Sequence, residues 1–453
     1  MNLVVGLSLF ELTHISRGFC EVGLAKVFIR RLAKIGLGVL WFSPYALANQ
    51  DQLVVLTTFS SEPIAKLMSE YKQRNPKVDI KLIHRRTQSA IQLLNKSYMQ
   101  DVDVVLSSSP FLMEELFKRN QLASVSYSNE MPEWLVPFVL PKRNKVVSVG
   151  YSGAGLVWNN DYLKANQLKI PNQFIDLVAF EYFGHITMST PSRSGTTQMM
   201  IESILAKHGW LKGWAIILNV GANLGTVSSR SFGVADYVAK GQFGVGPTID
   251  SYALVLPKQF QHVGFGYDSD FTLMPTYIGV LKNSGENEST QSFITLLLSK
   301  RVQDSMVNSD FAKHSIKDDS LYSEKNPPLN LEKLMKREKL VNIIFDEAIT
   351  KRLPELQDLW HSIAELESIT ASNPELSTRV SHLKQQLFLI PMTEEEVRSI
   401  ANSIAEQDAS NQASSGLEQA VLAEFGYRFG VKFEDNLLQV ADTLKAIQVE
   451  LSL

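Results

Sequence analysis

A loop in the middle of the chain carries the side chains best suited to hold a ligand. Residues 189–197 include six hydroxyl side chains, one arginine and one glycine, and they precede a predicted helix over Thr197–Lys207. The first amides of a helix have no partner within it, and the helix dipole favours negative charge at that end. The loop therefore predicts an anion site, with ordinary helix capping beside an exposed arginine as the alternative. Its candidate ligand-binding residues are Ser192, Arg193, Ser194, Thr196 and Thr197.

A second cluster of similar composition, residues 226–231, precedes a predicted helix over Phe232–Lys240 and adds Ser229 and Arg230 as candidates. An arginine offers a two-pronged contact to phosphate or carboxylate, so two such clusters indicate a bipartite anion pocket. Asp250 follows a short predicted strand, Phe243–Pro247. Its carboxylate is expected to accept from a ligand hydroxyl, to cap backbone amides, or to pair with Arg193 or Arg230.

The remaining reactive side chains show no catalytic spacing. The anion loop lacks the lysine of a nucleotide-hydrolysing phosphate loop, the histidines show no metal-ligand spacing, and no nucleophile with its base is evident. The net charge of −3 gives no electrostatic footprint for nucleic acid. We therefore expect a binding protein that is not an enzyme, with no metal and no cofactor.

The facing wall of the pocket is predicted from the first part of the chain. Predicted strands over Leu53–Leu56, Val78–Ile83 and Val102–Leu106 alternate with helical patterns, which predicts a parallel α/β sheet. Ligands of such sheets bind beyond the carboxyl ends of the strands. The candidate ligand-binding residues at those ends are Thr58, Ser60, Arg85, Thr87 and Ser108.

A second lobe begins where a strand over Lys145–Val149 runs into the glycine-rich crossing Gly150–Asn159, which contains Ser152 as a further candidate. The pattern over Tyr277–Leu298 predicts a return to the first lobe, and helices follow from Leu331. The predicted limits are a signal peptide with an upstream extension (1–48), lobe 1 (49–150, with the return segment 265–320), lobe 2 (151–264), and a helical C-terminal region packing on lobe 2 (321–453).

The N-terminal segment predicts export. A basic cluster at Arg30–Lys34 precedes a short apolar run, Ile35–Phe42, and an Ala-x-Ala cleavage motif at Ala46–Ala48. This pattern is typical of a secretory signal peptide cut after Ala48. Met1–Lys26 lies upstream of such a signal, so we expect translation to start near Val27. The alternative to a cleavable signal peptide is that the segment forms a buried amphipathic helix or a membrane anchor. The lone cysteine, Cys20, lacks a lipoprotein context, and we expect a free periplasmic protein.

The order of these features resembles the type II periplasmic solute-binding proteins of ABC importers, in the branch that binds iron(III) and hexose phosphates. The resemblance is most specific in the amino-acid sequences of residues 190–197, 229–231 and 241–247. The resemblance implies a two-lobed α/β fold, here with a helical C-terminal extension, and hinge closure around the ligand. It implies capture of a phosphorylated or carboxylated metabolite, such as phosphoglycerate or a sugar phosphate.

The resemblance also implies a protein partner for the ligand-bound form, either an inner-membrane ABC permease or the periplasmic domain of a sensor kinase. The chain itself is expected to be monomeric. The iron binders of the branch use adjacent tyrosines, whereas this chain offers only Tyr252 beside Ser251 and Ala253. A ferric-iron-binding protein of an importer is therefore an alternative, as is a regulatory interaction protein with an empty cleft.

Overall fold

Two five-stranded sheets flanked by helices form the first part of the protein, and a group of helices completes it. The computed structural model describes residues 51–451 apart from 95–100, 126–130, 142–143, 230, 310 and 410–414. The predicted signal peptide, its cut after Ala48, and Cys20 lie outside the described residues. In the part that is described, no helix is long and apolar enough to cross a membrane.

The first sheet begins with three parallel strands that alternate with helices along the chain. Two of these strands, Gln52–Thr57 and Val104–Ser107, are largely buried, whereas Asp79–His84 lies at the edge of the sheet and is partly exposed. The elements in chain order are β1 (Gln52–Thr57), α1 (Ser61–Arg74), β2 (Asp79–His84), α2 (Thr87–Leu94), β3 (Val104–Ser107), α3 (Pro110–Lys118) and β4 (Val146–Ser152). This agrees with the three predicted parallel strands.

The second sheet begins directly after β4, where Gly153 separates the two crossing strands. Its elements are β5 (Ala154–Asn159), α4 (Asn160–Ala165), β6 (Ile186–Ser189), α5 (Gly195–His208), α6 (Trp210–Ala222), β7 (Leu224–Ser228), α7 (Ser231–Ala239), β8 (Val245–Ile249), α8 (Asp250–Ala253) and β9 (Val263–Tyr267). The strand order is β7-β6-β8-β5-β9. The sequence analysis did not predict α6, β7 or β9.

The chain then returns to the first sheet through β10 (Met274–Val280), followed by α9 (Glu288–Leu298) and α10 (Lys300–Ser305). Strand β10 inserts antiparallel between β3 and β4, giving the order β2-β1-β3-β10-β4. The predicted return unit is therefore observed. Two strand-to-strand crossings, β4 to β5 and β9 to β10, connect the sheets, and we call the β1–β4 and β10 part lobe 1 and the β5–β9 part lobe 2.

The C-terminal helices continue the core of lobe 2. They are α11 (Leu331–Phe345), α12 (Leu353–Thr370), α13 (Pro374–Leu387), α14 (Glu394–Ala409) and α15 (Ser415–Glu450). Their apolar faces share one buried cluster with α5, α6 and the second sheet. Two tryptophans fix the contact: Trp360 Nε1 donates to Asn223 Oδ1 at 2.7 Å, and Trp210 Nε1 donates to the Met392 carbonyl at 2.8 Å.

Candidate functional site

A cleft between the two lobes collects the starts of four helices. Thr87 is the first residue of α2, Ser109 caps α3, Gly195 begins α5 and Ser231 begins α7. All four line the same cleft. Because each helix start is the positive end of a helix dipole, their convergence makes the cleft favourable for negative charge.

The wall from lobe 1 is held by short polar contacts at the strand ends. Thr58 Oγ1 and Ser107 Oγ are 2.7 Å apart, which ties the loop after β1 to the end of β3. Ser109 Oγ accepts from the Leu112 amide at 3.3 Å and so caps α3. His84 Nδ1 is 2.5 Å from the Phe59 carbonyl, which fixes the ring at the end of β2. These contacts position the hydroxyls and His84 before any ligand arrives.

The wall from lobe 2 is the predicted anion loop. Ser194 Oγ accepts from the Thr197 amide at 3.1 Å as the cap of α5 and lies 2.9 Å from Thr196 Oγ1. The amides of Gly195 and Thr196 donate to no acceptor within the described residues, so they stay available at the helix start. Glycine at this position also lets the backbone come close to whatever enters the cleft.

The two walls touch at Gly195. A Cβ placed on Gly195 would lie 3.1 Å from Ser109 Cβ and 3.4 Å from Thr87 Oγ1, both of which belong to lobe 1. The backbone of lobe 2 therefore lies in van der Waals contact with the helix starts of lobe 1. This is the arrangement of a closed cleft.

The charged side chains of the cleft are all basic. Arg86 from lobe 1 and Arg193 from lobe 2 line it together with His84, and no carboxylate is found in the lining among the described residues. Neither arginine forms an ion pair within the part of the chain that the structure describes. Two unpaired guanidinium groups on opposite walls suit a ligand whose negative charge both can reach.

The anion loop is braced from behind by the C-terminal helices. Thr190 Oγ1 donates to Asp346 Oδ1 at 2.5 Å, and Thr350 Oγ1 donates to the same oxygen at 2.8 Å. Asp346 and Thr350 bound a short π-helical turn, Asp346–Thr350, between α11 and α12. Ser189 Oγ also lies 2.5 Å from Thr197 Oγ1, so the loop is tied to its own strand and to the tail.

The structure places six of the fourteen predicted ligand residues in the cleft, namely Thr58, Thr87, Ser108, Arg193, Ser194 and Thr196. Two others hold the loop itself: Ser192 Oγ is 2.9 Å from Thr190 Oγ1, and Thr197 is buried beside Ser189. The cleft lining does not include Ser60 or the exposed Ser229. Arg230 lies outside the described residues.

Arg85 also lies away from the cleft, because its guanidinium points back and donates to the His84 carbonyl at 2.7 Å. The neighbouring Arg86 lines the cleft instead. The chain between β2 and α2 thus presents Arg86, and not Arg85, to the cleft.

Ser152 and Asp250 belong to a buried polar cluster at the crossing between the lobes. Lys313 Nζ, which is fully buried, donates to Ser152 Oγ at 2.8 Å and to Ser251 Oγ at 3.0 Å. Asp250 Oδ2 accepts from the Gly153 amide at 2.7 Å, which is the backbone-capping role among the alternatives considered for it. Burial lowers the pKa of Lys313 to about 8, although the charge of Asp250 opposes the shift.

His314 completes this hinge cluster. Its backbone pairs with Tyr151 of β4, and its Nε2 lies 3.4 Å from Asp250 Oδ2. Burial opposes protonation of the ring, but the hydrogen bonds and charges of Asp250 and Asp318 outweigh it and raise the pKa of His314. The cluster therefore fixes the point at which β4 passes into β5.

Several lining residues were not predicted: Phe59, His84, Arg86, Ser109, Gly195, Ser231, Phe232 and Tyr252. Most of them adjoin a predicted residue in the same loop, so a wider window around each strand end would have included them. Tyr252 lies apart, on α8, and packs against Phe232 with ring centroids 6.1 Å apart.

The phenol of Tyr252 is suited to hydrogen bonding more than to binding a metal. Burial raises its pKa to about 12, while a hydrogen bond with Ser231 partly offsets that rise. The protonated phenol is thus the dominant form near neutral pH. Among the described side chains, no group of three or more His, Cys, Asp or Glu residues gathers to hold a metal ion.

Comparison with known proteins identifies the class of protein that has this cleft. Residues 100–337 match the model of a family described as bacterial extracellular solute-binding protein. The phosphoglycerate transport regulatory protein PgtC of Salmonella typhimurium is 35% identical over 330 residues, which cover 71% of this chain and 82% of that protein. The predicted resemblance is thereby confirmed.

Solved structures share the fold. The periplasmic binding protein AfuA of Actinobacillus pleuropneumoniae, described with exogenous fructose-6-phosphate bound, aligns with a TM-score of 0.56 at 17% identity over 66% of this chain and 99% of that one. A ferric binding protein from Campylobacter jejuni aligns with a TM-score of 0.53 at 15% identity over 65% of this chain and 99% of that one. With the sequence match, the two-lobed fold shows that this chain belongs to the bacterial extracellular solute-binding protein family.

Proposed function

We propose that this protein captures a small phosphorylated or carboxylated metabolite, such as phosphoglycerate or a sugar phosphate, and performs no chemistry on it. The observation that carries the proposal is the convergence of four helix starts with Arg86 and Arg193 on a cleft whose described lining has no carboxylate. Oriented amides and guanidinium groups bind oxyanions through charge-assisted hydrogen bonds. The name of the Salmonella relative refers to phosphoglycerate, which has both a phosphate and a carboxylate.

The two lobes bind the ligand together by closing on it. Arg193 and the amides of Gly195 and Thr196 belong to lobe 2, whereas Arg86 and Ser109 belong to lobe 1. A ligand reaches both sets only when the walls are in contact, so binding stabilises the closed form relative to the open one. The crossings β4 to β5 and β9 to β10 act as the hinge.

The protein works in the periplasm after removal of a signal peptide at Ala48, and its closed form is presented to an ABC permease or to the periplasmic domain of a sensor kinase. The extracellular description of the family and the regulatory role in the relative's name support this location and this kind of partner.

Isothermal titration calorimetry of the purified protein tests the proposal, with 3-phosphoglycerate, fructose-6-phosphate, glycerate, glycerol and ferric citrate as ligands. We expect a phosphate ester to bind and glycerol not to bind. Because a ligand stabilises the native state by RT ln(1 + [L]/Kd), a micromolar ligand at ~1 mM adds about 4 kcal/mol, which a thermal shift also detects.

Arg86→Ala and Arg85→Ala form a matched pair for the same titration. The first removes a cleft arginine and is expected to weaken binding, whereas the second removes its exposed neighbour and is expected to leave affinity unchanged. Binding of ferric citrate alone would assign the cleft to iron. No binding of any anion would support an interaction protein with an empty cleft, and release of inorganic phosphate from a bound ester would indicate an enzyme.

A further inference from the structure

A lysine is buried at the crossing between the lobes without an ion-pair partner. Lys313 is fully buried in the segment that leads from α10 to the C-terminal helices. Its Nζ donates to Ser152 Oγ at 2.8 Å and to Ser251 Oγ at 3.0 Å, and it forms no ion pair with any residue that the structure describes. An ammonium group has three N–H donors, and its burial is costly unless negative charge compensates for it.

The backbone immediately before this lysine is strained. Ala312 has a φ of 44°, in the left-handed region that residues with a Cβ rarely adopt. On the other side, the amide and the carbonyl of His314 both pair with Tyr151 of β4. Backbone strain and a buried charge thus meet at adjacent residues. Two such costs side by side indicate that the inward position of Lys313 has a functional use.

Lys313 lies behind the wall of the ligand cleft. Its Nζ is 4.6 Å from the centroid of the Phe59 ring, and Phe59 lines the cleft. Its partner Ser251 adjoins Tyr252, which lines the cleft from lobe 2. Residues on either side of the lysine therefore form part of the cleft surface. Because the site between them is buried, water screens the charge of the lysine only weakly.

The nearby carboxylates do not compensate for this charge. Asp250 is the acidic residue whose charge acts on the lysine, but its Oδ2 accepts from the Gly153 amide at 2.7 Å and lies 3.4 Å from His314 Nε2. Asp318 contacts the same imidazole at 3.5 Å, and its side chain is 40% exposed, so water screens it. With His314 set against Asp250, the charge of Lys313 remains available to an anion in the cleft.

The other titratable groups around Lys313 bring no negative charge. Burial raises the pKa of the Tyr151 and Tyr267 phenols, which keeps both neutral near pH 8. On the lobe 1 side, His84 Nδ1 lies 2.5 Å from the Phe59 carbonyl, and an imidazole carries either a positive charge or none. An anion bound in the cleft would be the missing negative charge.

We propose that the ammonium group of Lys313 is a further positive charge of the ligand site, which attracts the bound anion from behind the Phe59 ring although it does not line the cleft. Lys313 acts in this way only if the cleft captures an anion, as proposed above. Its role is electrostatic and adds to the direct contacts of the two cleft arginines. The bound anion in turn stabilises the protonated amine.

Binding is therefore coupled to proton uptake. Burial lowers the pKa of Lys313 to about 8, although the charge of Asp250 opposes the shift, and a bound anion raises this pKa because it favours the charged form. The affinity is accordingly highest below pH 8, falls as the pH rises through about 8, and levels off above the pKa of the complex. A phosphate ester is already fully ionised in this range, since its second pKa is about 6.

Calorimetric titration with 3-phosphoglycerate at about pH 8.5, in two zwitterionic buffers of different ionisation enthalpy, tests the coupling. We expect the unchanged protein to take up a fraction of a proton for each ligand bound and Lys313→Met to take up none. Because the uptake is measured on the unchanged protein, its absence overturns the proposal even if Lys313→Met fails to fold.

Lys313→Met and Ser251→Ala form a matched pair for the affinity. Methionine retains an unbranched apolar side chain between the Phe59 and Phe311 rings but removes the charge, and is expected to weaken binding about tenfold near pH 7. Ser251→Ala removes one hydrogen bond between the lobes and retains the charge, so we expect affinity to stay within about twofold. The melting temperature of each free variant checks folding.

The outcomes separate the role of Lys313 from anion capture itself. Equal affinity of Lys313→Met and the unchanged protein for 3-phosphoglycerate would overturn the role of the lysine and leave anion capture standing. An equal loss in Ser251→Ala would make the lysine a structural tie between the lobes, and proton uptake that persists in Lys313→Met would assign it to another group, such as His84. Failure of every phosphate ester to bind the unchanged protein overturns both proposals.

Discussion

Arg193 is the residue of the anion loop whose side chain is free to reach a ligand, because the hydroxyls around it are largely engaged with one another. We expect Arg193→Ala to weaken phosphate-ester binding by about 1.5–3 kcal/mol, the scale of a hydrogen bond to a charged group, or about 10- to 150-fold. Calorimetry measures the change. Ser229→Ala, at an exposed position outside the cleft lining, is the control, and equal affinities for Arg193→Ala and the unchanged protein would remove Arg193 from the site.

A substitution at Gly195 tests whether affinity for the ligand depends on closure of the cleft between the lobes. Alanine is acceptable at a helix start, but its Cβ would press on Ser109 Cβ at 3.1 Å, so Gly195→Ala is expected to weaken ligand binding about tenfold while leaving the melting temperature of the free protein nearly unchanged. Ser109→Gly removes the opposing Cβ and costs α3 only a few tenths of a kcal/mol as its cap. Because Ser109→Gly also removes a cleft hydroxyl, that single variant is the reference for the double variant. Adding Gly195→Ala to it should cost much less affinity than Gly195→Ala costs the unchanged protein, and an equal loss would contradict the closure mechanism.

At the residue scale, hydroxyls and glycine before a helix were enough to single out a loop that contributes Arg193, Ser194 and Thr196 to the cleft, and anion binding by this loop stays a prediction. The choice between Arg85 and Arg86 was not predictable, because it depends on how the chain turns from β2 into α2. Tyr252 was not predictable either, since it reaches the cleft from α8, far from the other loops in sequence.

At the scale of elements, α11 is bound to lobe 2 by a buried ion pair. The Arg337 guanidinium contacts the Glu202 carboxylate, which is fully buried on α5, and lies 5.5 Å from the Trp210 ring centroid. Its other partner is Glu394 at the start of α14. One arginine thus connects α5, α11 and α14.

Arg337→Ala is expected to destabilise the protein by about 3–5 kcal/mol, because it leaves the Glu202 carboxylate buried without a partner. Urea unfolding followed by circular dichroism measures the loss. Replacing both partners with apolar side chains, Glu202→Leu with Arg337→Met, should return most of the stability. A double variant as unstable as Arg337→Ala would show that packing rather than the unpaired charge sets the cost.

Elements that carry a strong apolar period were predicted, including β1, β3, α1 and α9. The helix α6 was missed because it is apolar almost all round, with buried residues from Trp210 to Ala222, and so lacks the amphipathic pattern by which a surface helix is identified. Strands β7 and β9 were missed because their glycines weaken the strand pattern. These two segments form strands because of their position in the sheet rather than because of their local sequence.

At the scale of the whole molecule, α11 touches both lobes. Its residues Leu331 and Met335 pack on both cores, and Gln88 Nε2 of α2 donates to Glu338 Oε1 at 3.2 Å. Burial raises the pKa of Glu338 to about 7, and nearby carboxylates add to the rise. A raised carboxyl pKa means that the folded state holds its proton more tightly than the unfolded chain does.

The contribution of Glu338 to stability is therefore complete below its ordinary pKa of about 4.5 and is lost as the pH rises through about 7. We expect the melting temperature to fall by a few degrees between pH 5 and pH 8 relative to Glu338→Gln, in which the contact to Gln88 persists without titration. Glu332→Gln, on the exposed side of the same helix, serves as the control. Parallel pH profiles for all three proteins would contradict this assignment.

The two-lobed architecture could be predicted because alternating strands and helices, a glycine-rich crossing and a return strand have few arrangements that fit them. The attachment of the tail was harder to define. Helical periodicity showed that helices follow Leu331, but the bonds from Thr190 to Asp346 and from Trp360 to Asn223 join residues more than a hundred positions apart. Such pairings are set by the packed core.

Because α15 shares its core with lobe 2, anything fused to the end of the chain moves with that lobe alone. A fluorescent dye at the carboxyl terminus would report ligand binding by energy transfer only if the second dye were attached to lobe 1, for instance on the exposed side of α1. Two dyes placed that way would turn a change in cleft opening into a change in energy transfer.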